Sequence, residues 1–403
     1  MQKVDLSTGN LSLKNLQAKP VRTACLFIVV AVLAFTLFGG SIITLSLQQG
    51  LDTMTKRFGA DLMVVPKGAS EKAQGLLLRG DSGYYYFDAG IVDKVAGIEG
   101  VVCASPQFFL TSFSTECCDA DVQLIAYDPD TDFVVQPWIA EKRRESVSDG
   151  QVVVGSRIEL RENGTIKLFN DEYPVAAQLS RSASGYDTSI FMTMNTMRAL
   201  IDNAHAQRYG FLADSYEGEI ISAVLAKTDS SRPPSLIDWD IRRQNDGVEV
   251  LRSQGIFARI AGTLSGLVKY IHIFSIALWA LAVIVLAAVF SGTIHERKKE
   301  FAVLRILGAT RKKLISIVLS ESAIAGIGGG AAGIVLACLV VFPFSVYISG
   351  RLELPYLDAP IFKIIPLVFG SLFLSAVAGP LSSLYSALKI SRAETYFTMR
   401  EGE

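Results

Sequence analysis

Three stretches, 23–51, 270–294 and 364–388, carry no Asp, Glu, Lys or Arg, and a fourth, 314–350, is interrupted by Glu321 alone. A bilayer core about 30 Å thick needs roughly 20 apolar helical residues. Each stretch is therefore read as a membrane span, with limits at 23–47, 269–294, 314–347 and 361–388. The first is too long for a signal-peptide core and lacks a small-residue cleavage site followed by polar sequence, so it reads as an uncleaved anchor.

Between the first two spans the pattern shifts to short β-rich runs bounded by Gly, Pro, Asn or Asp: 61–65, 101–104, 108–113, 122–126, 151–154, 165–168, 175–179, 189–192 and 221–226. Helical spacing falls between them at 89–96, 156–161 and 196–207. The flanks 47–58 and 236–267 mix polar and apolar residues at helical period, the second after the linker-like TDSSRPPS at 228–235. The fold class is four transmembrane α-helices plus an α+β extracytoplasmic domain, 48–268, on helical stalks.

The segment HERKKEFAVLRILGATRKK, 295–313, lies between two spans and holds seven Lys/Arg against two Glu. Phe301, Leu304, Ile306, Leu307 and Ala309 give it an apolar side, and Arg297, Lys298, Glu300, Arg305 and Arg311 a polar one. A short amphipathic helix fits, and so does a charged loop.

With 50% hydrophobic and 19% charged residues, the chain is too apolar for a soluble protein and too charged for spans alone. Charge also orients it. Residues 1–22, 295–313 and 389–403 together carry fourteen Lys/Arg and six Asp/Glu, whereas 48–268 carries 21 and 30. Positive charge collects on the cytoplasmic side, so both termini are expected in the cytoplasm and the acidic domain outside, in a multi-pass protein of the plasma (inner) membrane. A net charge of −1 gives no reason to expect nucleic acid as a partner.

Glu300 to Arg311, EFAVLRILGATR, resembles the cytoplasmic loop of MacB/FtsX-type ABC transporter permeases, where an E-x-x-x-L-R-x-x-G-A pattern follows a basic cluster. The order of elements is similar too: a 1–22 amphipathic N-terminus with Leu13 to Leu16 and Arg22-Thr23, an outward strand at Gly59 to Pro66, an outer loop at 348–360, and the start of a third span where Glu321 is followed by Gly326, Gly328, Gly329, Gly330 and Gly333. The resemblance implies a permease acting as a dimer with a second copy or paralogue. It also implies a cytoplasmic ABC ATPase dimer docked on 295–313, with Glu300, Leu304, Arg305 and Gly308 as coupling positions. The chain lacks G-x-x-x-x-G-K-[S/T], the phosphate cradle of such ATPases. It is therefore expected to hold no cofactor and to catalyse nothing, with ATP and Mg on the partner subunit.

Glu321 is the one acid within the third run, and an ionisable group there is costly unless it meets a partner, water or the interface. A coupling or subunit contact is one reading, and hydration near the surface the other. Gly326-x-x-x-Gly330 and Gly329-x-x-x-Gly333 permit close helix approach. His205, His272 and His295 are too scattered for a metal cluster, and Asp128, Asp130 and Asp132 lack the Gly and distal Glu of a calcium loop, which leaves a solvated turn.

Cys25 and Cys338 lie in spans and read as small buried hydrophobes. Cys103, Cys117 and Cys118 fall in the outer domain, where a disulfide is permitted. One bridge from Cys103 to Cys117 or Cys118 with a spare thiol is one arrangement. A metal site of Cys117 and Cys118 with Glu116, Asp119 or Asp121 is the other. Neighbours on a regular strand point to opposite faces, which favours the bridge.

The resulting reading is a permease that turns ATP hydrolysis on a separate subunit into movement of its outer domain, exporting or extracting a substrate. An FtsX-like regulator of an extracellular hydrolase and a ligand sensor without transport are the alternatives.

Overall fold

The computed structural model describes residues 16–112, 117–142, 147–207, 219–229, 231–296, 300, 303, 306, 308–351 and 355–392. It divides into two compact units, one of Met1–Ser46, Ser265–Tyr347 and Asp358–Glu403, the other of Leu47–Leu264 and Ile348–Leu357.

The larger unit is built on a mixed sheet with, among the described residues, nine strands: β1 (Leu62–Pro66), β3 (Val101–Thr111), β4 (Gln123–Tyr127), β5 (Val152–Val154), β6 (Thr165–Leu168), β7 (Asp171–Gln178), β8 (Ser189–Thr193), β10 (Ala223–Thr228) and β11 (Val248–Arg252). Their order is β11-β1-β10-β3-β4-β8-β5-β7-β6. β4 with β8, and β5 with β7, run parallel. A short pair, β2 (Phe87–Asp88) and β9 (Ile220–Ile221), stands apart from it.

Alternate side chains of the central strands enter different cores. Met63, Phe109, Ile125, Val153, Phe191 and Leu225 face one core. Their strand neighbours Leu62, Val64, Val224 and Ala226 face a second, and Phe108, Leu124, Val152, Ile190 and Met192 a third. Burial on both faces makes these strands continuous apolar runs rather than alternating ones. Helices cover both faces: α2 (Ser70–Arg79) and α4 (Gln136–Lys142) contribute Leu76 and Trp138 to the first core. α3 (Ile91–Ala96), α5 (Met194–Ala206) and α6 (Pro234–Gln244) contribute Val95, Leu200 and Ile237 to the others.

Several sequence expectations are corrected. The runs at 101–104 and 108–113 are one strand, because the β3–β4 ladder begins at Gln107 and Pro106 therefore has no β4 partner to disappoint. Residues 156–161 form no helix. The helical flank at 236–267 is interrupted: Asn245, Asp246 and Gly247, the last at φ +96°, turn the chain into β11, an edge strand on β1. Helices α2 and α4 carried no recognised signal.

The second unit is helical, and the ends of its first two helices, from Leu47 and up to Leu264, belong to the sheet unit. The long helices are α1 (Pro20–Phe58), α7 (Ser253–Glu296), α8 (Arg311–Arg351) and α9 (Ile361–Arg392). Four helical segments, Pro20–Phe58, Ser253–Gly292, Lys312–Phe344 and Ile361–Leu384, are long and apolar enough to cross a membrane. Within this unit Leu26, Val30 and Leu33 of α1 pack with Ala282, Leu286 and Phe290 of α7, and Ala34, Phe38 and Ile42 pack with Ile334, Ala337 and Val341 of α8. Cys25 is exposed and Cys338 half-buried, so neither is the buried hydrophobe expected. Cys338 packs at the edge of the cluster that α1 and α8 share, partly covered.

Candidate functional sites

Helix α8 meets a neighbour through each of its glycine pairs. A Cβ on Gly333 would lie 2.2 Å from the Ala31 carbonyl oxygen of α1, and one on Gly329 2.9 Å from that of Phe27. On another side, a Cβ on Gly326 would lie 2.9 Å from the Ser375 carbonyl oxygen of α9, and one on Gly330 3.0 Å from the Ser375 Cβ. Only hydrogen fits at these crossings, so the backbones approach as small-residue pairs allow. Ser383 of α9 adds a hydroxyl donated to Ser322 of α8 at 3.2 Å.

Glu321 lies beside this contact and is 2% exposed. Its Oε2 stands 3.7 Å from an Arg22 guanidinium nitrogen of α1. Its immediate neighbour is thus an intrachain cation rather than bulk water. The sequence could have suggested it, since Arg22 stands just before the first apolar run as Lys313 stands just before the third.

Of the four coupling positions, Leu304 and Arg305 lie outside the described residues. Glu300 is helical and exposed, as are Val303 and Ile306. Gly308 adopts φ +91° with nothing within 4 Å of a built Cβ. It turns the chain before Thr310, whose carbonyl accepts the Lys313 and Leu314 N–H groups at the start of α8. The demand on this glycine is its backbone conformation rather than space.

In the sheet domain, β3, α3, α5 and the loops at 128–131 and 147–149 enclose a cleft of about 1340 Å³. Pro106, Phe108, Met197 and Ile201 give it an apolar side, while Asp88, Asp93, Asp128, Asp130, Asp149 and Glu219 outnumber Arg198 and His205. Glu219 pairs with Arg198 at 3.0 Å. Asp149 instead accepts from Thr193 at 2.6 Å and Asn195 at 3.1 Å, and these bonds hold its carboxyl below the usual range. The cleft offers apolar contact beside negative charge, and it is invisible in the sequence because its walls come from segments more than 100 positions apart.

Asp132, read with Asp128 and Asp130 as a solvated turn, has another role. It accepts the Val135 and Gln136 N–H groups at 2.8 and 2.7 Å and so caps α4. Burial raises its pKa against those bonds.

The cysteines depart from both readings. No disulfide joins any two of the five in this structure. Cys103 lies near the start of β3, where its Sγ is 3.6 Å from the Thr131 carbonyl oxygen, and Cys117 and Cys118 follow the far end of the same eleven-residue strand. A strand rises about 3.3 Å per residue, so Cys103 is not brought to the pair. Cys117 and Cys118 lie in a turn, not on a strand, and their Sγ atoms are 3.1 Å apart, both residues buried in one core. Asp119 does not join them as a metal ligand: Arg161 binds its carboxylate twice, at 2.8 and 2.7 Å, and the Lys167 N–H donates to it at 2.8 Å. Partial burial works to raise the Asp119 pKa, but these donors hold it below the usual value. Among the described residues no group of three His, Cys, Asp or Glu side chains is placed to hold a metal, and Glu116 lies outside them.

Four apolar helices, with a helix-and-sheet domain between the first and second, define a multi-pass membrane protein. Residues 272–395 match the family model described as FtsX-like permease C-terminal. It is 25% identical over 248 residues to the uncharacterized ABC transporter permease MJ1507 of Methanocaldococcus jannaschii, covering 60% of this chain and 58% of that protein. The chain thus spans less than two thirds of that curated relative. Solved structures similar to it include the periplasmic region of MacB from Actinobacillus actinomycetemcomitans, at 11% identity and a TM-score of 0.32, covering 51% of this chain and 95% of the other. A second is the extracellular domain of the noncanonic ABC-type transporter YknZ from Gram-positive bacteria, at 11% identity and a TM-score of 0.26, covering 48% and 99%.

Proposed function

We propose that this chain is the membrane subunit of a MacB/FtsX-type ABC transporter, which couples ATP hydrolysis on a separate cytoplasmic ATPase dimer to movement of its sheet domain, for export or extraction of a substrate. The observation that carries the reading is the FtsX-like match over 272–395, which brackets the basic segment 295–313. Helix α8, which follows that segment directly, has glycine crossings to α1 and α9, so a push on the segment reaches three helices at once. The permease works as a pair with a second copy or paralogue, keeps both termini in the cytoplasm, and takes its ATP and Mg through the partner.

The test is regulation of the ATPase. Glu300→Ala and Gly308→Leu are expected to leave membrane insertion intact and to reduce ATPase stimulation by the permease in the purified complex. A side chain at φ +91° costs about 1–2 kcal/mol, enough to reshape the turn that leads into α8. Unaltered assembly and ATPase regulation with both variants would reduce the segment to a connecting loop.

A further inference from the structure

We propose that Cys117 and Cys118 are a reversible redox-modification site, closing into a vicinal disulfide that is seated on the β6–β7 turn and alters it. The first observation is distance: two sulfurs 3.1 Å apart on adjacent residues need to approach by only about 1 Å to reach bonding distance. The second is where they sit. β6 and β7 pair through Leu168 and Asp171, leaving Phe169 and Asn170 as a two-residue turn with φ +49° and +71°. Positive φ at both positions is the type I′ geometry, which favours Asn and Gly and penalises Phe.

The cysteine turn supports that unfavourable residue. The Phe169 N–H donates to the Cys118 Sγ at 3.3 Å, the Asn170 N–H donates to the Cys117 carbonyl at 2.8 Å, and the Phe169 ring is buried in the same core as both thiols. The Asp119–Arg161 pair, with the Asp119–Lys167 bond, pins the next residue to β6. Moving either sulfur therefore acts on a strained turn whose backbone donors bond to these two residues.

The chemistry is thiol–disulfide exchange with a small-molecule disulfide as oxidant. One cysteine thiolate attacks the oxidant's sulfur and expels one thiolate. Its neighbour then attacks the mixed disulfide at the cysteine sulfur and expels the second, so two cysteine protons leave and two thiols of the former oxidant are produced. Consecutive Cα atoms lie about 3.8 Å apart, below the usual range of about 4.4–6.8 Å for a disulfide. The eight-membered ring is accordingly strained and readily reduced, which suits a reversible modification. The geometry is independent of transport and of which side of the membrane the domain occupies.

The experiment treats the native full-length chain in detergent with glutathione disulfide, then denatures it, alkylates it and maps peptides by mass. The peptide holding both cysteines is expected to be lighter by two hydrogens and unalkylated, with Cys103 alkylated and a reductant restoring both thiols. Cys118→Ser is expected to abolish the two-hydrogen loss. Amide exchange at Phe169 and Asn170 is expected to quicken in the oxidised form by roughly fivefold, the loss of one hydrogen bond. Persisting thiols, stable mixed disulfides with glutathione, or a link to Cys103 would each overturn the site. Identical exchange in the two forms would overturn its effect on the turn.

Discussion

Single side chains here act through what faces them. Glu321 and Arg22 form a buried pair, 3% and 16% exposed at their side chains. Removing one partner of such a pair leaves a charge without compensation and costs up to about 3–5 kcal/mol, whereas replacing both with apolar residues is often near neutral. Glu321→Ala should therefore lower the thermal unfolding temperature of the purified chain, and the double variant Arg22→Met, Glu321→Met should recover most of the loss. Equal damage from both variants would show that the pair does not act as a unit. In the sheet domain, Asp119 is held ionised by Arg161 and the Lys167 N–H, so its native pKa lies below its unfolded one. The stability it adds is complete above the ordinary aspartate value of about 3.9 and is lost as pH falls through the lower native value. Asp119→Asn should cost about 1 kcal/mol at neutral pH, and the gap to wild type should close in acid, read by denaturant unfolding across pH.

Among the elements, α8 is the least forgiving. Gly333→Val places atoms where the Ala31 carbonyl oxygen lies 2.2 Å from a Cβ, and overpacking of this kind costs about 1–3 kcal/mol. Gly370→Ala on α9, with nothing within 4 Å of its Cβ, should change stability by less than about 0.5 kcal/mol. Thermal unfolding of the two variants side by side checks the contrast. Legibility in the sequence follows the same physics. Spans show because a bilayer demands length, and β1, β4, β8 and β10 show because burial on both faces leaves apolar runs. Pro106 hid the continuity of β3, since a missing ladder partner is invisible before the register is known. Asn245 to Gly247 was a turn signal passed over in favour of helical spacing. The glycine pairs of α8 were visible, but not which helix each would meet. The preference for a Cys103 bridge rests on a strand that would point Cys117 and Cys118 to opposite faces, and the turn at these residues, which spacing does not reveal, brings their sulfurs together instead.

At the scale of the whole molecule, the proposed topology sets 295–313 and the sheet domain on opposite sides of the bilayer. Single cysteines introduced at Thr310 and Ser231 in a cysteine-free version should react with an impermeant maleimide from opposite sides. Reaction of both from the same side would remove the arrangement.

The sheet order also bears on how a ribosome delivers this protein. β1 lies between β10 and β11, and Leu62 pairs with Ala226 on one side and Arg252 on the other. At about 5–20 residues per second, β1 waits roughly 8–30 s for its first neighbour, β10. Throughout that interval Leu62 to Val65, buried once folded, is an unpaired apolar edge. Translation pauses or premature stops ahead of Ala223 therefore leave nascent chains with their stickiest segment uncovered, the form on which chaperones and membrane proteases act.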